Sequence, residues 1–506
     1  MILQDLLQQS GVVNEIPPEF SQIIVYGLSS DSRYAQKGDL FFAKQGAISH
    51  GLDYLEVLKE ADICAVIYED PKNKIDAPAD IPALKVENID QLMRKLTFAF
   101  YSDLQSRIEL IGVTGTEGKT SVTQFITKAF SALNIDCGLV GTNGIGFMGN
   151  LKENTHTTPD LMALYQSLAE IDSAEDVRVL MSGMLPIALE VTSHALDQKR
   201  VEGLKFKTTV FTNLNRDHLD YHGTIEAYGA AKARLFMEYV QESSVINIDD
   251  PFGETLNQRL QEEKPSVIIF PYGSKNSDEV NYLQIQDLQL HEQGLRFTLQ
   301  YHGKQYPIES HLYGAFNAYN LVAAIGALLA FDLPIERIID VVPAITNVKG
   351  RMEMVHLKNG AVAVVDYAHK PNALKQALIS LREHLDEGCL VSVFGCGGNR
   401  DTGKRPLMAA ISEEFADQVI VTSDNPRLED PLLIIKDIEA GFTNRDSKAI
   451  VIEADRAKAI ALAISRSQKG DIILIAGKGH EDYQILGDKE IYFSDFAEVQ
   501  KNNEEL

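Results

Sequence analysis

Between Arg107 and Leu133 the chain changes its hydrophobic rhythm. "RIELIGV" is a short, nearly continuous apolar run rich in β-branched residues, which reads as a buried strand. Further on, Val122, Phe125, Ile126, Ala129, Phe130 and Leu133 recur at intervals of three and four residues, the stripe of an amphipathic helix. Between the two lies "TGTEGKTS", Thr114 to Ser121. Strand, glycine turn, helix is the order that a phosphate-holding loop requires. Towards the C-terminus "CLVSVF", "QVIVT" and "DIILIA" alternate with helical patterns, and each ends in a polar motif. That pattern predicts a parallel sheet with ligand groups at the strand C-termini, where open α/β sheets place their sites. The first hundred residues mix short apolar runs such as "ICAVIY" with turn-rich segments such as "PKNKIDAPADIP". There "SSDSR" and "GDLFFAKQG" read as polar loops abutting apolar strands.

No repeat period and no low-complexity tract interrupts these patterns, and three blocks emerge: 1–106, 107–346 and 347–506. A length of 506 residues suits three domains. An apolar fraction of 45% and a charged fraction of 24% are those of a globular protein with ample core. The net charge of −25 argues against a nucleic-acid or anionic-membrane partner. It does not exclude small anions held in a local basic pocket. Cys64, Cys137, Cys389 and Cys396 form no CxxC pair and no zinc spacing, so a reduced, cytoplasmic chain is expected. The start, "MILQDLLQQSGVVNEI", carries an acid and no basic region, unlike a signal peptide. The longest apolar stretch, "VLMSGMLPIAL", is too short to span a bilayer and contains a proline, so no membrane insertion is expected.

The loop itself carries chemistry. Gly115 and Gly118 let successive backbone N–H groups turn inward, and Lys119 adds a point charge. The helix that starts there favours an anion through its free N–H groups and dipole, and Thr120 offers a hydroxyl to Mg²⁺. The glycine spacing is tighter than in the general GxxxxGK[ST] loop, and Glu117 is an acid in its middle. Two unit charges a few Å apart repel by several kcal/mol at an effective dielectric of about 20. Glu117 is compatible with phosphate only if it turns outward or faces a cation. The competing reading is a surface turn before a helix. Downstream no apolar strand ends in the Asp of a standard metal-binding partner motif; "ALEVTSHALDQKRV", "FTNLNRDHLDYHG" and "YGAAKARLF" stand there instead.

"GTEGKTS", "THTTP", "LEVTSHALDQKR", "FTNLNRDHLDYHG", "AAKARL", "GAFNAYN", "KGRME", "VVDYAHKPNAL", "GCGGNRDTGKRP", "SDNPR" and "AGKGHEDYQ" follow in order. Together, over nearly the whole chain, they resemble the Mur ligases, and within them the branch that adds the third residue of the peptidoglycan stem peptide. The resemblance implies an α/β fold of three domains: an N-terminal UDP-binding domain, a central P-loop ATPase domain and a C-terminal Rossmann-like domain for the amino acid. It implies an ATP-dependent amide ligase that uses Mg²⁺; a monomer is expected. The reaction would join UDP-N-acetylmuramoyl-L-alanyl-D-glutamate to meso-diaminopimelate in cytoplasmic cell-wall precursor synthesis.

Residue roles follow from the same resemblance. Gly115, Thr116, Glu117, Gly118, Lys119, Thr120 and Ser121 would hold ATP phosphates, with Asn317, Arg351 and Asp366 at adenine, phosphate and ribose. Thr120, Glu190, His218 and Lys232 would serve the metal, Lys232 as a carbamate formed from a neutral amine and CO₂. Chemistry alone nominates Glu190 for Mg²⁺ but not His218, which otherwise reads as a loop residue capping a helix. Lys232, in a helical run, otherwise reads as a surface lysine. Ser30, Ser32, Ala47, Ile48 and Ser49 match uridine-side positions; His156, Thr157, Thr158, Thr192, Gln198 and Arg200 match muramoyl-dipeptide positions. "SGMLPI", ahead of Glu190, is longer than the family usually has.

By position alone Arg427 reads equally as a solvated surface charge; the resemblance decides the amino acid, because "DNPR", Asp424, Asn425, Pro426 and Arg427, matches the family's diaminopimelate signature. Diaminopimelate differs from lysine by a distal carboxylate, for which guanidinium offers a planar two-donor fork. Arg427 and then Arg400 are the candidates, with Glu481 for the distal ammonium and Gly477 keeping the strand end open. The competing readings are a lysine-adding relative, a non-catalytic nucleotide sensor, suggested by Glu117, and a folylpolyglutamate-type ligase, disfavoured by "DNPR" and "GKGHEDYQ".

Overall fold

The computed structural model describes residues 1–11, 16–46, 49–70, 80–154, 156–291, 293–385, 387–444 and 447–506. Ala47 and Ile48 lie outside the described residues. Among the described residues three large sheets and one two-stranded hairpin divide the chain. The first is parallel and follows chain order: Gly27–Ser29, Asp39–Ala43, Ala65–Glu69 and Ala83–Val86. Every residue of Asp39–Ala43 is buried, so "GDLFFAKQG" is a strand running out into a loop. An inner parallel strand is covered on both faces, which is why its pattern does not alternate. Leu3, Leu6 and Leu7 of the helix Leu3–Ser10 pack there with Ile89, Leu92 and Leu96 of the helix Ile89–Phe100. Met162, from the helix Leu161–Asp172, completes this core from the next unit.

The second sheet has eleven strands. Ile108–Thr114 lies inside it, parallel to Phe206–Phe211 on one side and Leu185–Glu190 on the other. The apolar stripe read from the sequence is the buried face of the helix Lys119–Ala132 and the residue after it, from Val122 at 0% exposure to Leu133 at 7%. It packs against the helix Ala315–Leu329 in one cluster. A three-stranded antiparallel extension, Leu283–His291, Gly294–Tyr301 and Lys304–Ser310, closes one edge.

The third sheet has an antiparallel edge strand, Glu353–His356, followed by five parallel strands. Their order is Val362–Asp366, Ile472–Ala476, Leu390–Phe394, Gln418–Val421 and Ile450–Ile452. "CLVSVF", "QVIVT" and "DIILIA" are three of these. A fully buried ion pair, Arg456 Nε to Asp495 Oδ1 at 2.7 Å, ties the C-terminal helix Asp495–Glu505 to this unit. Residues 346–350 join the second and third units, and Lys128 Nζ donates to the Thr346 and Asn347 carbonyls there at 2.8 and 2.6 Å. Among the described residues no helix is long and apolar enough to cross a membrane.

Candidate active site

Gly115 and Gly118 form the turn between Ile108–Thr114 and the helix that starts at Lys119. Gly115 has φ 156° and a Cβ there would fall 1.9 Å from Thr212 Oγ1; Gly118 has φ 81° and a Cβ would meet Asn320 Oδ1 at 2.6 Å. Both positions therefore need glycine for space as well as for conformation. The loop is pinned from the neighbouring strand: Thr116 N–H donates to Asn213 O and Glu117 N–H to Asn213 Oδ1, each at 2.9 Å. Thr212 Oγ1 donates to Glu117 O at 2.6 Å. The Glu117 side chain is exposed at the rim. Desolvation by the surrounding protein raises its carboxyl above the ordinary value, opposed by Lys119 and Arg351 and reinforced by Asp217 and Asp366.

Lys119 Nζ donates to the Gly115 and Thr116 carbonyls at 2.9 and 2.8 Å. Burial lowers its pKa. Lys232, on the helix Ile225–Arg234, is buried rather than a surface residue, and its Nζ donates to the same Gly115 carbonyl at 2.8 Å. Burial first, then the Lys119 charge, push its pKa well below the ordinary lysine value. Glu190 ends its strand at 1% exposure. Its Oε2 accepts from Thr120 Oγ1 at 2.9 Å and its Oε1 from Thr142 N–H at 2.8 Å. Burial raises this carboxyl, while Thr142, Lys119 and Thr120 oppose the rise.

His218 sits at the N-cap of the short helix Leu219–His222 with a left-handed φ of 52°, but its side chain makes no capping bond. Its ring stands edge-on to His194 with centroids 4.8 Å apart, and burial lowers its pKa. Among the described residues no three His, Cys, Asp or Glu side chains gather tightly enough to enclose a metal. Thr120 Oγ1 and the Glu190 carboxylate, with Thr142 Oγ1 3.2 Å from Glu190 Oε2, present adjacent hard oxygen donors, the chemistry that Mg²⁺ takes when phosphates and water complete its shell.

Around the end of the Glu190 strand the candidate substrate residues form one network. Thr158 Oγ1 donates to Glu190 O at 2.7 Å and accepts from Thr192 N–H at 3.1 Å. Arg200 Nη1 donates to Thr158 O at 2.8 Å, and its Nε and Nη2 share Gln198 Oε1. Thr157 Oγ1 lies 3.1 Å from Thr142 Oγ1, and His156 is exposed beside them. Ser30, Ser32 and Ser49 lie apart in the first unit, with Ser49 Oγ 2.8 Å from Tyr54 Oη.

Across the cleft Asp366 ends its strand, where its Oδ2 accepts from Met352 N–H at 2.8 Å and its Oδ1 from Ala368 N–H at 2.9 Å. Arg351 lies 5.0 Å from the centroid of the Tyr367 ring. Asn317 is buried in the first turn of its helix, donating to Tyr313 O at 2.7 Å and accepting from Asn320 Nδ2 at 3.0 Å. Lys370 Nζ reaches Asp217 Oδ1 at 3.3 Å, which joins the third unit to the "NRDH" turn of the second.

A second group of candidate residues lies at strand C-termini of the third sheet. Arg427 has φ 53°, and the hairpin of Tyr483–Leu486 and Lys489–Tyr492 straps it: its N–H donates to Ile485 O at 3.0 Å and its O accepts from Gly487 N–H at 2.8 Å. Its Nη1 donates to Gly398 O at 3.0 Å. A Cβ on Gly397 would lie 2.9 Å from Arg427 Nη1 and 3.8 Å from Arg400 Cγ, so both arginines flank that glycine. Asn425 Nδ2 donates to Glu481 Oε2 at 3.0 Å. Gly477, with φ 125°, leaves room beside Asp424, whose Oδ2 would meet a Cβ at 3.3 Å. Pro426 is buried in the same turn.

Sequence reasoning missed Asn213, Thr142, Asn320 and Lys478. The first three act through backbone groups and amides that leave no pattern. Lys478, a lysine between glycines after an apolar strand, left a weak one.

Family models match almost end to end: Mur ligase family, catalytic domain over 24–101, Mur ligase middle domain over 113–328, and Mur ligase, glutamate ligase domain over 350–479. A relative from Coxiella burnetii, a UDP-N-acetylmuramoyl-L-alanyl-D-glutamate--2,6-diaminopimelate ligase, is 40% identical over 481 residues, covering 95% of this chain and 96% of its own. A relative of the same name from Pseudomonas syringae pv. tomato is 42% identical over 476 residues, with 94% of each chain covered. A solved structure titled with that ligase name superposes with a TM-score of 0.69 at 33% identity, covering 100% of this chain and 99% of the other.

Proposed function

The chain belongs to the Mur ligase family, and from that premise we propose that it joins UDP-N-acetylmuramoyl-L-alanyl-D-glutamate to meso-diaminopimelate at the expense of ATP. A carboxylate is a poor electrophile. In the reaction its oxygen attacks the γ-phosphorus and the bond to ADP breaks, giving an acyl phosphate. The amine nitrogen then attacks the acyl carbon, the C–O bond to phosphate breaks, and the amine releases a proton. Alignment and neutralisation of the phosphoryl oxygens carry most of such a rate enhancement.

Each side of the cleft has a part. The loop N–H groups and Lys119 hold phosphate, Asn317 and Asp366 orient the nucleoside, and Arg351 faces the transferred group. Thr120 and Glu190 are the oxygen donors for Mg²⁺, which when bound would neutralise phosphate charge. Burial and the Lys119 charge favour the neutral form of the Lys232 amine, the form that CO₂ captures; the resulting carbamate anion would add to that electrostatic field, with His218 at its flank. Arg200 and Thr158 present the dipeptide beside Glu190. In the second pocket Arg427, with Arg400, pairs with the distal carboxylate, and Glu481 accepts from the distal ammonium.

The observation that supports the reading most is that two separate sites open at strand C-termini of adjoining sheets, one built for phosphate and one for a group bearing both charges. Its test is product analysis. Incubation with ATP, Mg²⁺, the UDP-sugar dipeptide and meso-diaminopimelate should yield the amide by mass spectrometry with one ADP per product. Nucleotide binding without amide formation would leave a nucleotide sensor in its place.

A further inference from the structure

Lys478 sits in the turn that leaves the strand Ile472–Ala476, and its side chain is 0% exposed. Its Nζ lies 3.2 Å from Glu481 Oε2, 3.4 Å from Asn425 Oδ1 and 4.0 Å from Asp424 Oδ1. An ammonium group taken out of water costs several kcal/mol unless its donors and charge are met. Asp424 Oδ1 is itself buried, and among the described residues it has no hydrogen-bond partner. Its charge is therefore met through space. Arg456 stands behind the pair, but its guanidinium is engaged by Asp495, with both side chains fully buried.

We propose that Lys478 is a positioning residue that balances Asp424 and fixes Glu481, leaving the pocket matched to an amino-acid end that carries one ammonium and one carboxylate. The inference rests on the reading that this pocket takes the incoming diamino acid. Both donors to Glu481, Asn425 Nδ2 and Lys478 Nζ, fall on Oε2, which leaves Oε1 to the ligand's ammonium. One ammonium shared between Glu481 at 3.2 Å and Asp424 at 4.0 Å leaves the pair one net negative charge, which Glu481 Oε1 presents to the ligand's ammonium. Arg427 and Arg400, on the other side of Gly397, are left for the carboxylate. Without Lys478 two acids face each other, and the pocket turns towards a ligand with surplus positive charge.

Glu481 also reports on the arrangement. Burial raises its carboxyl, and Lys478 is the largest influence holding it down, while Asp424 pushes it up. Arg456, Tyr367 and Tyr483 are the other titratable groups whose charges reach it.

The experiment compares the full chain with Lys478→Met, Asp424→Asn and the double variant, measuring amide formation with meso-diaminopimelate and with L-lysine across pH. For Lys478→Met the KM for diaminopimelate rises about tenfold or more, the size expected for a lost charged hydrogen bond. The lysine constant changes less, the KM for ATP stays, and the acid limb of kcat/KM moves to higher pH. Adding Asp424→Asn restores part of the diaminopimelate use. Asp424→Asn alone, nearly isosteric and independent of whether Lys478→Met folds, moves the acid limb to lower pH. An unmoved acid limb in Asp424→Asn, or a Lys478→Met variant that folds and loses both amino acids and ATP equally, overturns the proposal. A wild-type chain that forms no diaminopimelate amide overturns the function instead.

Discussion

Lys119 and Lys232 converge on one oxygen, the Gly115 carbonyl, at 2.9 and 2.8 Å. Burial first, and then the Lys119 charge beside it, hold the Lys232 amine well below its ordinary pKa. Lys119→Ala should abolish amide-dependent ADP release, by about a hundredfold or more, the loss typical of one preorganised charge donor. Activity within a few-fold of wild type would show that backbone N–H groups suffice. Glu117 is the residue whose type contradicts its place. Its residue is exposed, and the Lys119 and Arg351 charges that reach it oppose those of Asp217 and Asp366, so its acid has cations beside it. Glu117→Asn should therefore leave turnover equal or better in steady-state assays; a large loss would give Glu117 a role of its own.

Elements hold these residues through their ends. Asp250 is the N-cap of the helix Pro251–Glu263: its Oδ1 accepts from Phe252 and Gly253 N–H, and its Oδ2 accepts from Leu214 N–H at 2.8 Å. One carboxylate thus fixes a helix start and the segment whose Asn213 pins the phosphate loop. Asp250→Ala should cost about 1–2 kcal/mol in denaturant unfolding and raise the KM for ATP. A stability loss with an unchanged KM would separate the cap from the loop. The strand, turn and helix around the loop were legible because periodicity is a local property of sequence. The burial of Lys232 was not legible from "AYGAAKARLF", because it depends on the helix Ile225–Arg234 facing a strand end far away in the chain. The strap that sets Arg427 at φ 53° comes from a hairpin some sixty residues on and had no local signal. Resemblance nominated these residues; packing supplies the reason.

At the scale of the whole molecule the third unit meets the second at His384, which is 1% exposed. Its ring stacks on Tyr313 with centroids 4.1 Å apart, its Nε2 accepts from Gly314 N–H at 2.7 Å, and its Nδ1 lies 2.9 Å from His291 O. Those partners require a neutral ring with the proton on Nδ1. Burial lowers its proton affinity from the ordinary 6.5, with His291 the neighbouring titratable group. As pH falls through that value the separated form binds a proton that the docked form excludes, so docking loses stability towards acid. Small-angle scattering and thermal unfolding from about pH 7.5 to about pH 5.5 should show the wild type loosening more steeply than His384→Gln; equal slopes would assign the pH response elsewhere. In the proposed reaction the phosphate site and the amino-acid site serve one amide bond, with selection at the far end of the amino acid. The direct measurement is kcat/KM for meso-diaminopimelate against L-lysine in amino-acid-dependent phosphate release. Arg427 is half-buried with Nη1 on the Gly398 carbonyl, and a charged hydrogen bond to the distal carboxylate is worth about 1.5–3 kcal/mol, so diaminopimelate should be favoured by roughly tenfold to a hundredfold, and Arg427→Ala should erase most of that ratio while sparing the KM for ATP. Comparable values for the two amino acids in the wild type would contradict the account.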